Sequence, residues 1–89
     1  MEFYKESEIF KALGHPIRLG ILKCLMSDTC DCNVNMIVEK LNIPQSTISQ
    51  HIGILRNKGI INPRKKGTAT CYVITDENIL NILKLIKIE

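Results

Sequence analysis

The chain has 89 residues, 45% of them apolar, with few aromatics and no tryptophan. It is too short for more than one small domain, expected over residues 1–89, and too apolar to be disordered, which leaves a compact, mostly helical domain. A net charge of +3 conceals an asymmetry, because residues 40–75 carry +6 with no Asp or Glu while the remainder carries −3.

Such a one-sided segment suits a polyanionic partner, although a solvated basic face would look the same by charge alone. No apolar run approaches the ~18 residues of a membrane span, and "MEFYKESE" lacks the basic and apolar regions of a signal peptide. The expected location is therefore the cytoplasm, without membrane contact. Thiols stay reduced there, so four cysteines are no evidence for disulfides. A domain this small buries only about 60–65% of its chain surface and often relies on a partner subunit.

"SEIFKALG" predicts a first helix with Ser7 as N-cap and Gly14 as its stop. "HPIRLGILKCLMS" restarts a helix, with Pro16 in its first turn and Ile17, Ile21 and Leu25 at helical spacing. After the turn formers of "SDTCDC", Asn33 is an N-cap for a third helix, in which Val34, Ile37, Val38 and Leu41 form the apolar stripe. "LNIPQ" breaks this helix, and a fourth runs from about Pro44 to Asn57 with Ile48, Ile52 and Leu55 facing inward. Two helices joined by a tight polar break have the form of a helix-turn-helix. The period then changes: "IIN" and "TATCYVIT" read as strands flanking "PRKKG", with Lys-Lys-Gly at the hairpin tip and Gly67 supplying a positive φ. "DENILNILKLIKIE" is a terminal helix opened by Asp76. Its apolar residues cover more than one stripe, so its second face is read as a subunit interface.

On the fourth helix, Ser46, Ser49, Gln50 and Gly53 share the face opposite the apolar residues, and Gln45 and Thr47 flank its start. Gln can pair bidentately with adenine in the major groove, Ser and Thr can serve base or phosphate, and a helix entering the groove reads bases with its N-terminal residues. Polar residues near a helix start are also common caps, but the cations that follow favour nucleic acid. Gln45, Ser46, Thr47, Ser49 and Gln50 are the candidate base-reading residues, and His51, Arg56, Arg64, Lys65 and Lys66 the candidate phosphate contacts. His51 has an equal alternative in local packing, and Tyr72 reads as a packing residue of the hairpin. No Ser-His-Asp set, phosphate loop or paired-carboxylate site stands out, so an enzyme is not expected. A protein-interaction domain that never binds DNA is the other rival, opposed by the acid-free basic segment.

Three blocks carry a resemblance to a known family. "FKALGHPIRLGIL", "LNIPQSTISQHIGILRNKGII" and "KKGTATCYVI" resemble the opening, the helix-turn-helix core and the wing of ArsR/SmtB-type winged-helix repressors, together spanning roughly residues 8–75. The resemblance implies a mainly α winged helix-turn-helix with a small β-hairpin wing. It also implies a homodimer formed through the first and last helices, binding an imperfect palindrome in double-stranded DNA and leaving it when an inducer binds.

The resemblance also frames the cysteines. Members that sense soft metals or arsenite commonly carry Cys-Val-Cys at the start of the third helix, a register that falls here on Asn33, Val34 and Asn35. Amides do not replace thiolates for soft ions. The Asp/His site that members carry on the last helix is also absent, since Asp76 has no histidine beside it. Cys30 and Cys32, three residues upstream of the usual register, remain a candidate soft-metal, arsenite or redox site, with Cys24 or a partner subunit as source of a third thiolate. Cys-x-Cys is a weaker chelate than the usual spacing of two to four residues. The favoured expectation is no required cofactor, with Cys24 a small buried hydrophobe and the inducer unidentified.

Overall fold

The structure is a computed structural model that describes residues 2–27, 33–86 and 88. Cys30 and Cys32 lie outside the described residues. The elements run α1 (Tyr4–Leu13), α2 (Pro16–Met26), α3 (Val34–Leu41), α4 (Gln45–Asn57), β1 (Asn62–Lys66), β2 (Ala69–Val73) and α5 (Glu77–Leu85). This is the expected mainly α winged helix-turn-helix.

Most helix boundaries follow from local chemistry. The Asn33 side chain accepts the Met36 N–H at 2.9 Å and opens α3, and Asp76 accepts the Asn78 N–H at 2.8 Å and opens α5. Each satisfies a backbone donor that the first turn leaves without an intrahelical partner. α3 ends on Asn42, whose φ of 55° is left-handed, a conformation that asparagine tolerates. Asn33→Ala should cost about 1 kcal/mol of stability, with Asn33→Asp retaining most of it. Urea unfolding at one fixed protein concentration checks this, and equal midpoints for the alanine variant and the parent would show that the cap contributes nothing.

α1 departs from expectation. It begins at Tyr4 with Phe3 at the N-cap position, so Ser7 is not a cap. The Ser7 hydroxyl instead donates to the Tyr4 carbonyl at 2.9 Å, inside the helix. The sequence "MEFYKESE" has no strong capping signal at Phe3, which is why the serine misleads. α2 starts where expected, and its N-cap is His15, whose Nδ1 accepts the Ile17 N–H at 3.1 Å.

The core gathers one stripe from every helix. Ile21 and Leu22 of α2, Ile37 of α3, Ile48 and Leu55 of α4, and Leu83 of α5 have essentially no exposed surface. Ile60 and Ile61 join them, which corrects the expected "IIN" strand: these two residues are a buried crossing and β1 begins only at Asn62. Leaving α4, the Gly59 N–H reaches the Arg56 carbonyl and the Ile60 N–H reaches that of Leu55. Gly59 sits at φ 72°. This is a Schellman ending, sealed by the apolar contact expected between the buried Ile60 and Leu55. A side chain at position 59 would be strained by the positive φ alone.

The hairpin pairs β1 and β2 antiparallel, with Lys65 opposite Thr70 and Lys66 opposite Ala69. Lys65 and Lys66 therefore belong to the strand, and the tip is Gly67–Thr68. Gly67 has the expected positive φ, 67°, at the first turn position, where a two-residue hairpin favours glycine. The base is closed by Asn62, whose side-chain amide donates to the Thr75 hydroxyl at 2.8 Å. Tyr72 packs against the core, as expected. α5 is shorter than the terminal apolar run, because Ile88 turns back with its N–H on the Leu83 carbonyl. Among the described residues no helix is long and apolar enough to cross a membrane.

Candidate nucleic-acid interface

The α3–α4 pair is the helix-turn-helix, and the split of α4 into two faces is sharp. Ile48, Ile52 and Leu55 are buried, while Gln45, Ser46, Ser49 and Gln50 are exposed and Thr47 is half-buried. Gly53 continues the outer face, and a methyl group built there would meet no atom within 4 Å. The outer surface of α4 is thus short, polar and unobstructed, so its backbone can approach another surface closely. At its start, Pro44 offers no side-chain cap, and its carbonyl takes the N–H groups of Thr47 and Ile48. N–H groups at an uncapped helix start suit an anion.

Only residues 58–61 separate α4 from β1. Every residue of β1 is exposed. By strand alternation Arg64 and Lys66 project to one side of this ribbon and Lys65 to the other. Pro63, which has no N–H to give a ladder, is tolerated because the ribbon has a free edge. Arg56, Arg64, Lys65 and Lys66 are exposed and make no ion pair among the described residues. Lys58, between them, is committed elsewhere: its Nζ lies 3.3 Å from Glu8 of α1. The Lys58 contact holds the Glu8 carboxyl below its ordinary range.

His51 is placed differently from the other candidates. It is half-buried, turned towards α2, with its ring centroid 4.5 Å from that of His15. This contact is the local packing that the sequence left open beside a phosphate role. The role of His15 was not anticipated. Its signal was available in "GHPIR", since a residue with an acceptor just before a proline at the first helical position is a cap candidate.

Among the thiols, Cys24 is 6% exposed within the core, as expected, and Cys71 of β2 is also buried. Cys24 also borders a groove of about 540 Å³ between α2 and the end of α3, together with Gly20, Lys23, Lys40 and Leu41. At the register where soft-metal sensors carry thiols, Asn33 uses its side chain to cap α3 and Asn35 is exposed.

Apolar side chains remain uncovered on the first and last helices. Phe3, Tyr4 and Phe10 at α1 and Leu85 and Ile86 at the end of α5 are each more than half exposed. Phe3 stands at the N-cap position of α1, and Phe10 lies within the helix.

Comparison with known proteins agrees with this architecture. The sequence profile of bacterial regulatory proteins of the arsR family matches residues 15–63. An HTH-type transcriptional regulator of Methanocaldococcus jannaschii is 47% identical over 87 residues, 97% of each chain. The transcriptional repressor PagR of Bacillus anthracis is 33% identical over 86 residues, 97% of this chain and 85% of that one. Its crystal structure aligns with a TM-score of 0.85 at 32% identity, covering 98% of both chains. HlyU from Vibrio cholerae aligns with a TM-score of 0.82 at 28% identity, covering 92% of this chain and 87% of the other. The exposed polar helix, the basic wing and these relatives lead to one conclusion: the chain belongs to the arsR family of helix-turn-helix transcriptional regulators.

Proposed function

We propose that the chain is a cytoplasmic repressor that binds an imperfect DNA palindrome as a homodimer and is released by an inducer. The observation that carries this reading is the pairing of an unobstructed polar face on α4 with exposed cations on β1 that make no ion pair among the described residues, the two elements being separated only by residues 58–61. Gln45, Ser46, Thr47, Ser49 and Gln50 would read or approach base edges. Arg56, Arg64, Lys65 and Lys66 would hold phosphates, supplying the salt-sensitive part of the affinity. The uncovered side chains of α1 and α5 support a dimer through those helices, because monomers rarely leave so many large apolar groups in water. A two-fold dimer places its recognition helices about one DNA turn apart, roughly 34–36 Å. We assign no required cofactor.

The test is selection of bound duplexes from a random pool, followed by affinity measurements over a range of salt. The expected product is an inverted repeat. Changing Arg64, Lys65 and Lys66 to alanine should flatten the slope of log K against log salt by about 0.9 for each phosphate no longer neutralised, hence by up to about five units in a dimer. A pool that yields no preferred sequence, or an unchanged slope, would count against the reading. Adding zinc, cadmium, arsenite or a mild oxidant to the same titration tests the alternative inducer site at Cys30 and Cys32. Release of DNA by any of them would favour that site, and no release would remove it.

A further inference from the structure

His15 and His51 are the only two histidines of the chain, and the fold stacks them across the contact between α2 and α4, 4.5 Å apart and tilted by 38°. The Nδ1 of His15 accepts the Ile17 N–H. An accepting ring nitrogen carries no proton, so neutral His15 holds its hydrogen on Nε2. The Nδ1 of His51 is buried without a hydrogen-bond partner among the described residues, and so is the Nε of Arg18, one turn along α2 from His15. The site thus sets two imidazoles beside a guanidinium that is always charged.

Among the described residues, the surroundings supply no acid to balance a further proton. The cation acting on His51 is Arg18 of α2, joined by the α2 cap His15 whenever that ring is protonated. From α1, Glu8 is engaged by Lys58 and Lys11. From α3, Glu39 and Lys40 are exposed. On α4 itself the nearest ionisable side chain is Arg56, also exposed.

We propose that His15 and His51 are positioning residues that hold the recognition helix against α2 only while both rings are neutral, so that acidification weakens DNA binding. A proton on Nδ1 of His51 would be a buried donor without an acceptor, next to Arg18. A proton on Nδ1 of His15 would remove the cap of α2. Burial, and then the proximity of His15 and Arg18, pull the pKa of His51 below its ordinary value. As pH falls through the ordinary histidine range near 6.5, the unfolded chain takes up a proton before the folded one does. The stability contributed by neutral His51 is therefore complete above that range and is lost as pH falls from it towards the lower folded value. The inference rests on the reading that α4 contacts DNA. It opposes a phosphate contact by His51, because such a contact would strengthen on protonation.

The test compares binding of a duplex recovered by selection at about pH 7.5 and about pH 5.5, a window in which histidine is the side chain that ordinarily titrates. For the parent protein the affinity should fall several-fold at the lower pH. His51→Gln, which cannot take a proton, should show a flattened ratio between the two conditions. His15→Asn keeps a capping oxygen for α2 but removes the ring, and should flatten the ratio as well. Two DNA-free measurements separate this inference from the DNA reading: the urea midpoint against pH, and the titration of His51 followed by NMR. The midpoint should fall with pH in the parent protein and less in either variant, and His51 should titrate at higher pH in His15→Asn. Binding that is equal or tighter at pH 5.5, a parent slope preserved in both variants, or His51 titrating in its ordinary range would overturn the proposal.

Discussion

Changing Ser46, Ser49 and Gln50 together to alanine is expected to lower the affinity for a selected operator by about 10³-fold or more, down to the level of nonspecific DNA. The three side chains are exposed on the outer face of α4, opposite the buried Ile48, Ile52 and Leu55. Alanine is a better helix former than serine or glutamine, so α4 should survive and the fold should be no less stable. What disappears is the hydrogen-bonding capacity that, in the proposed reading, distinguishes one base edge from another. A single bidentate pairing is worth about 1–3 kcal/mol of discrimination, and a symmetric dimer forfeits each one twice. The cations at Arg56, Arg64, Lys65 and Lys66 are untouched, so the dependence of residual binding on salt should stay close to that of the parent on nonspecific DNA. Fluorescence anisotropy on selected and scrambled duplexes measures both quantities. A variant that still prefers the selected duplex to the same degree would show that α4 does not read the sequence.

The second large effect concerns assembly. Phe10→Asp combined with Leu85→Asp should convert the protein to a folded monomer and reduce operator affinity by about 10²–10⁴-fold, because linked half-sites then become independent ones. Both side chains are already exposed in the single chain, Phe10 by 58% and Leu85 by 79%, so their replacement leaves the core intact. Burying each in an interface is worth about 1.5–3 kcal/mol, and aspartate would place charge on the same apolar surface. Analytical ultracentrifugation reports the mass and circular dichroism the helix content. If the parent and the variant sediment alike, the uncovered faces of α1 and α5 serve some other purpose.

Much of this architecture is visible in residue spacing. The stripe Ile48, Ile52 and Leu55 fixes the buried side of α4 and with it the outer face. Asn33 and Asp76 mark helix starts, and Gly67 marks the hairpin turn. Those signals are local and each depends on few atoms. Expectation and structure part where a local signal competes with a distant contact. Ser7 looks like a cap until the helix extends back to Tyr4, after which its hydroxyl folds onto its own backbone. Ile60 and Ile61 have the composition of a strand, yet the Schellman ending of α4 sends them into the core, and the strand shifts onto the basic residues. Neither the stacking of His51 on His15 nor the tie between Glu8 and Lys58 could be read in one dimension, because each joins elements far apart in sequence.

The joint at Gly59 has a consequence for how such a protein can diverge. The last turn of α4 and the first residue of β1 are separated by Lys58, a left-handed glycine and two fully buried isoleucines, a connection with little freedom to stretch. If Ser46, Ser49 and Gln50 read bases as proposed, the letters recognised can change by substitutions there that leave this joint alone. The width of the proposed half-site would not change with them, because the joint holds the span from α4 to β1. Variants of this chain should therefore alter which bases they prefer while keeping one footprint, and a change of footprint should require a change in the run from Lys58 to Ile61.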